Sequence, residues 1–236
     1  MDLSPYTEEE IWEQFHKTGS ITKHLLSIYS LAIGINAQRI AEIGIGSTTK
    51  TLRMAAKQTG GTVFSCDVDK ERFKDLLGEQ QSDWRLFLGN SETFLKDLKG
   101  PIDIFIHDGA HDYYQVKLDL EMILPKMSKF GLICIHDTQQ YELGPDMIEA
   151  IQDALTGWDA SYMTLPFCCG LTLIRVENGQ HPEISPVSKL LSNGQIDTKL
   201  FASISHPIAG QQVETKINIK PMQWVKWKIR KLLKGY

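Results

Sequence analysis

The chain has 236 residues, which suits one α/β domain with extensions and would make two full domains cramped. Its hydrophobic content of 42% is ordinary for a globular protein, and its net charge of −4 gives no sign of a surface built for nucleic acid. No apolar run is long enough to span a bilayer, and the segment Met1–Pro5 lacks the basic and apolar regions of a signal peptide. We therefore expect a cytoplasmic protein.

The four cysteines form no zinc or redox motif. Cys168 and Cys169 are adjacent, whereas Cys66 and Cys134 fall within predicted strands. We expect all four to be reduced thiols, in keeping with a cytoplasmic location.

Residues 1–36 are predicted to form an N-terminal helical cap. Thr7, followed by three glutamates, has the pattern of a capped helix whose first turn complements the helix dipole. A second amphipathic segment follows it. Trp12, Phe15 and Tyr29 are candidates for a lid over a substrate site, although packing into the core explains them equally well.

Strands and helices alternate from Arg39 onward. The predicted strands are Arg39–Ile43, Thr62–Asp67, Trp84–Leu88, Ile102–His107, Gly131–His136, Ala160–Leu165 and Leu171–Val176. The predicted helices are Thr48–Gln58, Lys70–Leu77, Ser91–Leu98, Tyr113–Lys126 and Asp146–Leu155. Short, continuous apolar runs suit strands that are buried on both faces. Residues 37–176 are therefore predicted to form an α/β domain with a doubly wound, seven-stranded, mostly parallel sheet.

The last two strands are joined only by Pro166–Gly170, which is too short for a parallel crossover. We therefore expect an antiparallel hairpin at the edge of the sheet. Residues 177–236 are predicted to be a C-terminal extension that ends in a basic, aromatic-rich amphipathic tail. This tail could dock on the domain, contact a second copy in a homodimer, or lie on an anionic membrane surface.

The segment Ala41–Thr49 carries the clearest functional signal. A buried strand breaks at Gly44 and Gly46 and then enters a helix. Glycine lets the backbone approach a ligand, and the start of a helix supplies free N–H groups and the positive end of a dipole. The segment therefore suits a nucleotide-like cofactor at the carboxyl end of a parallel sheet. A dinucleotide fingerprint would need a third glycine where this chain has Thr49.

An acidic residue, Asp67, ends the next predicted strand, about 20 residues after the two glycines. Its carboxylate is placed to accept both hydroxyls of a ribose, although a role as helix N-cap would also explain it. Together with Glu42 ahead of the glycines, Asp67 resembles the pattern of the class I S-adenosylmethionine-dependent methyltransferases more than that of the nicotinamide dehydrogenases. The residues then expected to hold S-adenosylmethionine are Glu42, Gly44, Gly46, Ser47, Thr48 and Asp67.

Two further carboxylates, those of Asp108 and Asp137, follow the fourth and fifth predicted strands. Ligands of open α/β sheets bind beyond the carboxyl ends of the strands, so both acids are expected on the rim that holds the cofactor. Neighbouring carboxylates repel each other unless a proton or a cation lies between them, and oxygen ligands suit Mg²⁺. The alternative is a metal-free site in which Asp108 only orients the sulfonium or the acceptor hydroxyl.

The block Ile106–Tyr114 resembles the metal-dependent O-methyltransferases, both the catechol type and the bacterial sugar and macrolide type with a D-G-x-H-x-Y signature. The resemblance implies that Asp108 and Asp137 are metal ligands and that Thr138 is the third. A hydroxyl is a poorer ligand than the amide or carboxylate usual in that family. His136 is an alternative third ligand, but in a regular strand its side chain should point away from that of Asp137.

The same resemblance implies that Ser91 lies near the adenine, that Asp108 also touches the cofactor, and that His111 is the general base. Chemistry gives an independent reason for the base. Methyl transfer is an in-line displacement at a sulfonium, and a neutral imidazole can take the proton of the attacking hydroxyl near neutral pH. A structural role for His111 is the alternative. His107 is expected to pack under the sheet, and Asp112 to cap the next helix.

These features predict an S-adenosylmethionine-dependent O-methyltransferase that moves a methyl group to a hydroxyl of a small molecule or a sugar. Mg²⁺ would assist it, with His111 and Asp108 as the catalytic residues. Two other functions compete with this one. An NAD(P)-dependent oxidoreductase is disfavoured by Thr49, which stands where the dinucleotide fingerprint needs its third glycine. A catalytically silent cofactor-binding module would act through its tail.

Overall fold

The computed structural model describes residues 2–19, 21–76 and 82–177. The predicted C-terminal extension therefore lies outside the described residues except for Glu177, and so does its basic tail. In the described ranges no helix is long and apolar enough to cross a bilayer.

The N-terminal region contains two helices, α1 over Glu8–His16 and α2 over Leu25–Gly34, with a short 3-10 turn at Ile21–Lys23 between them. The predicted start of α1 is confirmed. The Thr7 hydroxyl accepts the Glu10 amide, and the Glu10 carboxylate accepts the Thr7 amide. This reciprocal pair satisfies two of the N–H groups that a helix start leaves free.

The alternation of strands and helices is confirmed. The strands are Arg39–Ile43 (β1), Thr62–Asp67 (β2), Trp84–Leu88 (β3), Ile102–His107 (β4), Met127–His136 (β5), Ala160–Leu165 (β6) and Leu171–Val176 (β7). The helices are Ser47–Thr59 (α3), Lys70–Phe73 (α4), Ser91–Asp97 (α5), Tyr113–Ile123 (α6) and Gly144–Ala154 (α7). All but one of the strands have the predicted bounds, the exception being β5, which begins at Met127 and not at Gly131. Every helix differs from its prediction at one end or both, and α6 stops at Ile123 and not at Lys126. Pro125 lies in the 3-10 turn between α6 and β5 and has no N–H with which to continue an α-helix.

All seven strands belong to one sheet with the order β3-β2-β1-β4-β5-β7-β6. The first five strands pair in parallel, whereas β7 lies antiparallel to both β5 and β6. The predicted hairpin at the sheet edge and the antiparallel last strand are therefore confirmed. The fold is the doubly wound, Rossmann-like arrangement expected from the buried strands.

The sheet is covered on both faces, which explains the continuous apolar runs of the central strands. In β4, Phe105 packs against α5, α6 and α7, whereas Ile104 and Ile106 pack against α2 and α3. All three side chains are fully buried. Helix α2 also joins a smaller cluster in which Leu25 meets Ile11 of α1 and Met54 of α3. The N-terminal helices are thus packed onto the sheet domain.

The candidate lid residues differ in their surroundings. Tyr29 packs against the core clusters, as the alternative explanation expected, while the Trp12 side chain is 55% exposed. Phe15 contacts the edge of the Trp12 ring and lies 5.0 Å below the Lys23 ammonium. A lid role for Trp12 and Phe15 stays a prediction.

The turn between β1 and α3 has a strict steric requirement at Gly44. Its φ is +92°, and a Cβ there would lie 2.1 Å from the carbonyl oxygen of Asp108. We expect Gly44→Ala to lower the free energy of unfolding by about 3 kcal/mol, because an L side chain is strained at this φ and must push the β4 backbone away.

Urea titration of wild type and Gly44→Ala measures this loss. The matched control is Gly34→Ala, because a Cβ at Gly34 meets nothing within 4 Å. We expect the control to be as stable as wild type or slightly more stable, since alanine favours the helix. Equal stability of Gly44→Ala and the control would contradict the steric argument.

Candidate active site

The turn Gly44–Gly46 joins the carboxyl ends of three strands. The Gly44 N–H donates to the carbonyl of Cys66 on β2 (2.9 Å), and the Asp108 N–H donates to the carbonyl of Ile43 on β1 (2.9 Å). Asp67 adds a side-chain link. One of its carboxylate oxygens accepts the Ile45 N–H at 3.0 Å. The backbone that faces a ligand at this edge is therefore held by hydrogen bonds across the sheet.

A cavity of about 270 Å³ opens at this edge of the sheet. Among the residues that line it are four of those predicted to bind the cofactor, Gly44, Asp67, Ser91 and Asp108. The remaining lining residues are Ile43, Cys66, Val68, Gly89, Asn90, Gly109, Ala110, Gln115 and Asp119. The sequence prediction named neither Gln115 nor Asp119.

The other residues predicted to hold the cofactor do not line this cavity. Gly46 donates its N–H to the Thr49 hydroxyl (3.0 Å), which fixes the start of α3. Ser47 is the first residue of that helix, and the Thr48 side chain is buried in it. Contacts of these residues with a cofactor stay a prediction.

Glu42 lies beneath the turn as a fully buried carboxyl group. The Ser65 hydroxyl donates to one of its oxygens and accepts from the Trp84 indole N–H at 2.9 Å. Burial raises the pKa of Glu42 to about 7, although hydrogen bonds from Ser65, Thr49 and Thr48 oppose the rise. Glu42 is therefore placed to support the glycine turn from below, and its direct contact with a cofactor stays a prediction.

The raised pKa of Glu42 has a consequence for stability. The unfolded chain releases this proton near pH 4.5 and the folded chain near pH 7, so wild type loses stability as the pH rises between these values. Glu42→Gln keeps the acceptor for Ser65 and has no proton to lose. Between pH 4.5 and pH 7 we expect the difference in unfolding free energy to move by about 3 kcal/mol in favour of Glu42→Gln.

Urea unfolding of the two proteins at several pH values measures this change. Above about pH 8 we expect the difference to be constant, because Glu42 is then ionised in both states. A difference that is the same at pH 5 and pH 8 would mean that Glu42 titrates as an exposed carboxyl group.

Asp108, His111 and Asp137 form a compact cluster beside the cavity, and each offers one ligand atom within 4.8 Å of the others. His111 Nε2 lies 3.5 Å from Asp137 Oδ2 and 3.8 Å from Asp108 Oδ1. The three side chains are about one-fifth exposed, so the cluster can be reached from solvent. The structure thus brings Asp137, which follows β5, together with Asp108 and His111, which follow β4.

The cluster perturbs its own ionisation. Burial raises the pKa of Asp108, but the contacts with His111 and His136 outweigh burial and hold the pKa well below its usual range. The contact with Asp108 raises the pKa of His111, with Asp137 adding to the effect and burial opposing it. A proton on the imidazole thus offsets the repulsion between the two carboxylates.

The prediction that the His136 side chain points away from Asp137 is wrong. His136 Nδ1 lies 3.2 Å from Asp137 Oδ1 and 3.0 Å from Asp108 Oδ1. The prediction assumed a regular strand, but β5 ends at His136 and Asp137 has a φ of +61°. The left-handed backbone at Asp137 interrupts the alternation of side chains, so the side chains of His136 and Asp137 lie on the same side of the chain.

Thr138 is buried, and its hydroxyl oxygen accepts a hydrogen bond from the Thr172 hydroxyl of β7 at 2.8 Å. The Thr172 oxygen lies 2.8 Å from that of Thr164 on β6. The hydroxyl of Thr138 is thus part of a chain that ties the end of β5 to the hairpin. Metal ligation by Thr138 stays a prediction, and the arrangement offers His111 as a third ligand beside the two acids.

His24 is a site residue that sequence reasoning missed. It is fully buried, its ring contacts that of His136 edge-on at a centroid distance of 5.6 Å, and it stacks on Phe167 at 4.6 Å. Its Nε2 lies 3.3 Å from the carbonyl oxygen of Cys168, in the turn between β6 and β7. Burial lowers the pKa of His24, which favours the neutral ring. The sequence around it holds no motif that could have indicated this position.

The predicted roles of His107 and Asp112 agree with the structure. His107 is fully buried under the sheet, and Asp112 caps α6 by accepting the Gln115 N–H at 3.0 Å. The structure adds a partner for His107. Its Nε2 lies 3.0 Å from the carboxylate of Asp119, which is also fully buried.

Residues 41–138 match the family model of a methyltransferase domain. No curated protein matches the chain by sequence. The matched segment runs from β1 to the residue after Asp137, so it contains both the glycine turn and the acidic cluster.

Solved structures with the same fold include an O-methyltransferase from Bacillus cereus in complex with SAH (S-adenosylhomocysteine), at 13% identity and a TM-score of 0.54 over 73% of this chain and 92% of that one. SAH-bound methyltransferase MTH1 of Podospora anserina has 16% identity and a TM-score of 0.51 over 75% and 100%. A candidate caffeoyl-CoA O-methyltransferase from Staphylococcus aureus has 14% identity and a TM-score of 0.55 over 72% and 93%. At these identities the likeness establishes the fold alone.

Proposed function

We propose that this chain is an S-adenosylmethionine-dependent methyltransferase that transfers the methyl group to a hydroxyl of a small molecule or a sugar. One observation carries the proposal: Asp108 belongs both to the wall of the cavity and to the cluster with His111 and Asp137. A methyl donor in the cavity and an acceptor at the cluster would therefore meet at this carboxylate. Such alignment of two reactants is the main requirement of an in-line displacement.

The cavity suits S-adenosylmethionine. The backbone at Gly44 and Gly109 forms part of its wall, and a Cβ at Gly109 would lie 2.7 Å from the Ile43 side chain. Neither position carries a side chain that could occupy the cavity. Asp67 lines the cavity with a carboxylate that can accept ribose hydroxyls. The bound SAH named for two proteins of the same fold supports the same cofactor here.

The donor set of the cluster fits a divalent cation. Two carboxylates and one imidazole offer ligand atoms within 4.8 Å of one another, and a cation between Asp108 and Asp137 would relieve their repulsion. Asp108 and Asp137 would hold the ion, with Thr138 close by in the chain and His111 left free to accept a proton. When bound, Mg²⁺ lowers the pKa of a hydroxyl that it contacts and favours acceptors with two neighbouring oxygens.

We assign His111 the part of general base. Its imidazole takes the proton of the acceptor hydroxyl at Nε2, and the carboxylates of Asp108 and Asp137 stabilise the imidazolium that forms. The raised pKa of His111 reflects this stabilisation. Asp108 and Asp137 in turn are positioned by His136, which contacts both.

Calorimetric titration of S-adenosylhomocysteine into the protein, with Mg²⁺ and again with a chelator, tests this proposal. We expect micromolar binding in both buffers and a change in heat or affinity that depends on the metal. Asp137→Asn should keep the binding and lose the metal effect, whereas Asp75→Asn, a change at an exposed aspartate, should behave as wild type. Absence of binding in both buffers would refute methyl transfer. Binding without any metal effect would refute the metal.

The substrate class is tested by measuring how fast the same protein converts S-adenosylmethionine to S-adenosylhomocysteine with different acceptors. Catechols and sugars with vicinal hydroxyls should be methylated faster than their monohydroxy analogues, because only the former chelate a metal. His111→Ala should abolish most of the turnover with cofactor binding unchanged. Full turnover with an unchanged pH profile in this variant would remove His111 from the role of base.

Proton release gives a further test of the cluster. In the metal-free protein the raised pKa of His111 keeps the ring partly protonated near neutral pH, and a cation bound by the two acids displaces that proton. We expect Mn²⁺ or Mg²⁺ binding to release up to about one proton near neutral pH and progressively less at higher pH. Titration in buffers of different ionisation enthalpy measures this number. His111→Gln should release none, and equal release by this variant would place the proton elsewhere.

A further inference from the structure

A chain of polar side chains runs from the buried interior to the wall of the cavity. His107 Nε2 lies 3.0 Å from Asp119 Oδ2, and the other oxygen of Asp119 accepts from Gln115 Nε2 at 2.9 Å. Gln115 Nε2 also donates to the Ser91 hydroxyl at 3.0 Å. Asp119 and His107 are fully buried, and Ser91, Gln115 and Asp119 all line the cavity. These hydrogen bonds are separate from those of the glycine turn and the acidic cluster.

The hydrogen-bond capacity of each group fixes the orientation of the Gln115 amide. A carboxylate can only accept, so the amide must turn its NH₂ group, not its carbonyl, toward Asp119. The NH₂ group has two protons, and the bonds to Asp119 and Ser91 use both. The carbonyl oxygen of Gln115 accepts no hydrogen bond from the residues that the structure describes. Because the Ser91 oxygen serves as acceptor, its own proton is free to be donated.

The cavity wall therefore presents one acceptor, Gln115 Oε1, next to one donor, the Ser91 hydroxyl. The edge of adenine has the opposite pattern, with a donor at its 6-amino group and an acceptor at the neighbouring ring nitrogen N1. Hypoxanthine differs from adenine at these two positions only: its 6-oxo group accepts and its N1–H donates. A wall with a fixed acceptor and donor can thus distinguish the two bases.

We propose that Gln115, held in one orientation by Asp119 and His107, is the residue through which this chain selects adenine over a 6-oxopurine. The inference rests on the proposed binding of an S-adenosyl cofactor in this cavity. Asp119 is a positioning residue, since it acts on the base only through Gln115. His107 secures the second oxygen of Asp119 and so keeps its first oxygen directed at the amide.

The experiment compares two ligands, S-adenosylhomocysteine and its deaminated analogue S-inosylhomocysteine, by calorimetric titration. In wild type we expect the adenine ligand to bind at least about tenfold more tightly. In the complex with the oxo analogue, the 6-oxo group would face Gln115 Oε1, and both oxygens can only accept hydrogen bonds. If neither ligand binds, the proposed function fails. If both ligands bind with equal affinity, the proposed function stands and the selection by Gln115 is refuted.

Two variants separate orientation from mere contact. Asp119→Asn keeps an acceptor for His107 and supplies an amide donor that lets Gln115 reverse. We expect the preference for adenine to fall to within about threefold or to invert, while a general loss of packing would weaken both ligands alike. Gln115→Met removes both hydrogen-bonding groups at similar size and should also bring the ratio close to one.

The matched control is Gln152→Met, because Gln152 lies on α7 and donates to the Tyr162 hydroxyl at 2.8 Å, away from the cavity lining. It should keep the wild-type ratio of affinities. Should Asp119→Asn fail to fold, Gln115→Met alone decides the question. A tenfold preference that survives in Gln115→Met would overturn the inference.

Discussion

The close approach of two backbones at Gly44 is the constraint on which the rest of the site depends. A Cβ at this position would lie 2.1 Å from the Asp108 carbonyl oxygen, so only glycine allows β1 to end directly against the end of β4. That contact places the wall of the cavity and the acidic cluster side by side, since Asp108 belongs to both. A sheet edge held apart by one methyl group would separate the cavity from the acidic cluster.

Two buried ionisable groups support this edge from beneath. Glu42 lies under the glycine turn with Ser65 as its partner, and Asp119 lies beside the cavity wall with His107. The cost of removing such groups from water offsets most of what their hydrogen bonds contribute to stability. Each group therefore contributes more to the geometry of the site than to the stability of the fold. Their effects differ in kind. The raised pKa of Glu42 favours its neutral form, whereas Asp119 orients the Gln115 amide in the wall of the cavity.

Much of the fold could be predicted from the sequence because strand burial and turn residues are local signals. The seven strands, the hairpin at the sheet edge and the Thr7 cap were all predicted, and among the strands only β5 began at the wrong residue. The orientation of His136 was predicted wrongly because a single left-handed residue, Asp137, ended the regular strand. Side-chain alternation holds only as long as the backbone stays extended.

Gln115 and His24 could not be predicted, because each depends on a partner that is distant in the sequence. Gln115 is 24 residues from Ser91, and His24 is 144 residues from Cys168, so no local pattern relates them. Tertiary packing alone brings His24 from the N-terminal segment against His136. The turn at Phe167–Gly170 completes this contact, with positive φ at Cys168 and Cys169 and a Gly170 N–H that donates to the Phe167 carbonyl at 3.0 Å.

The N-terminal segment consequently supports the acidic cluster. His24 touches His136, and His136 contacts both Asp108 and Asp137, so a shift of α2 would move both acids. In the turn between β6 and β7, the Cys169 carbonyl accepts the Gln139 N–H at 2.7 Å, two residues beyond Asp137. The acids are thus fixed from two sides, by a buried imidazole and by a backbone hydrogen bond. Precise placement of two like charges requires such support, because their repulsion would otherwise drive them apart.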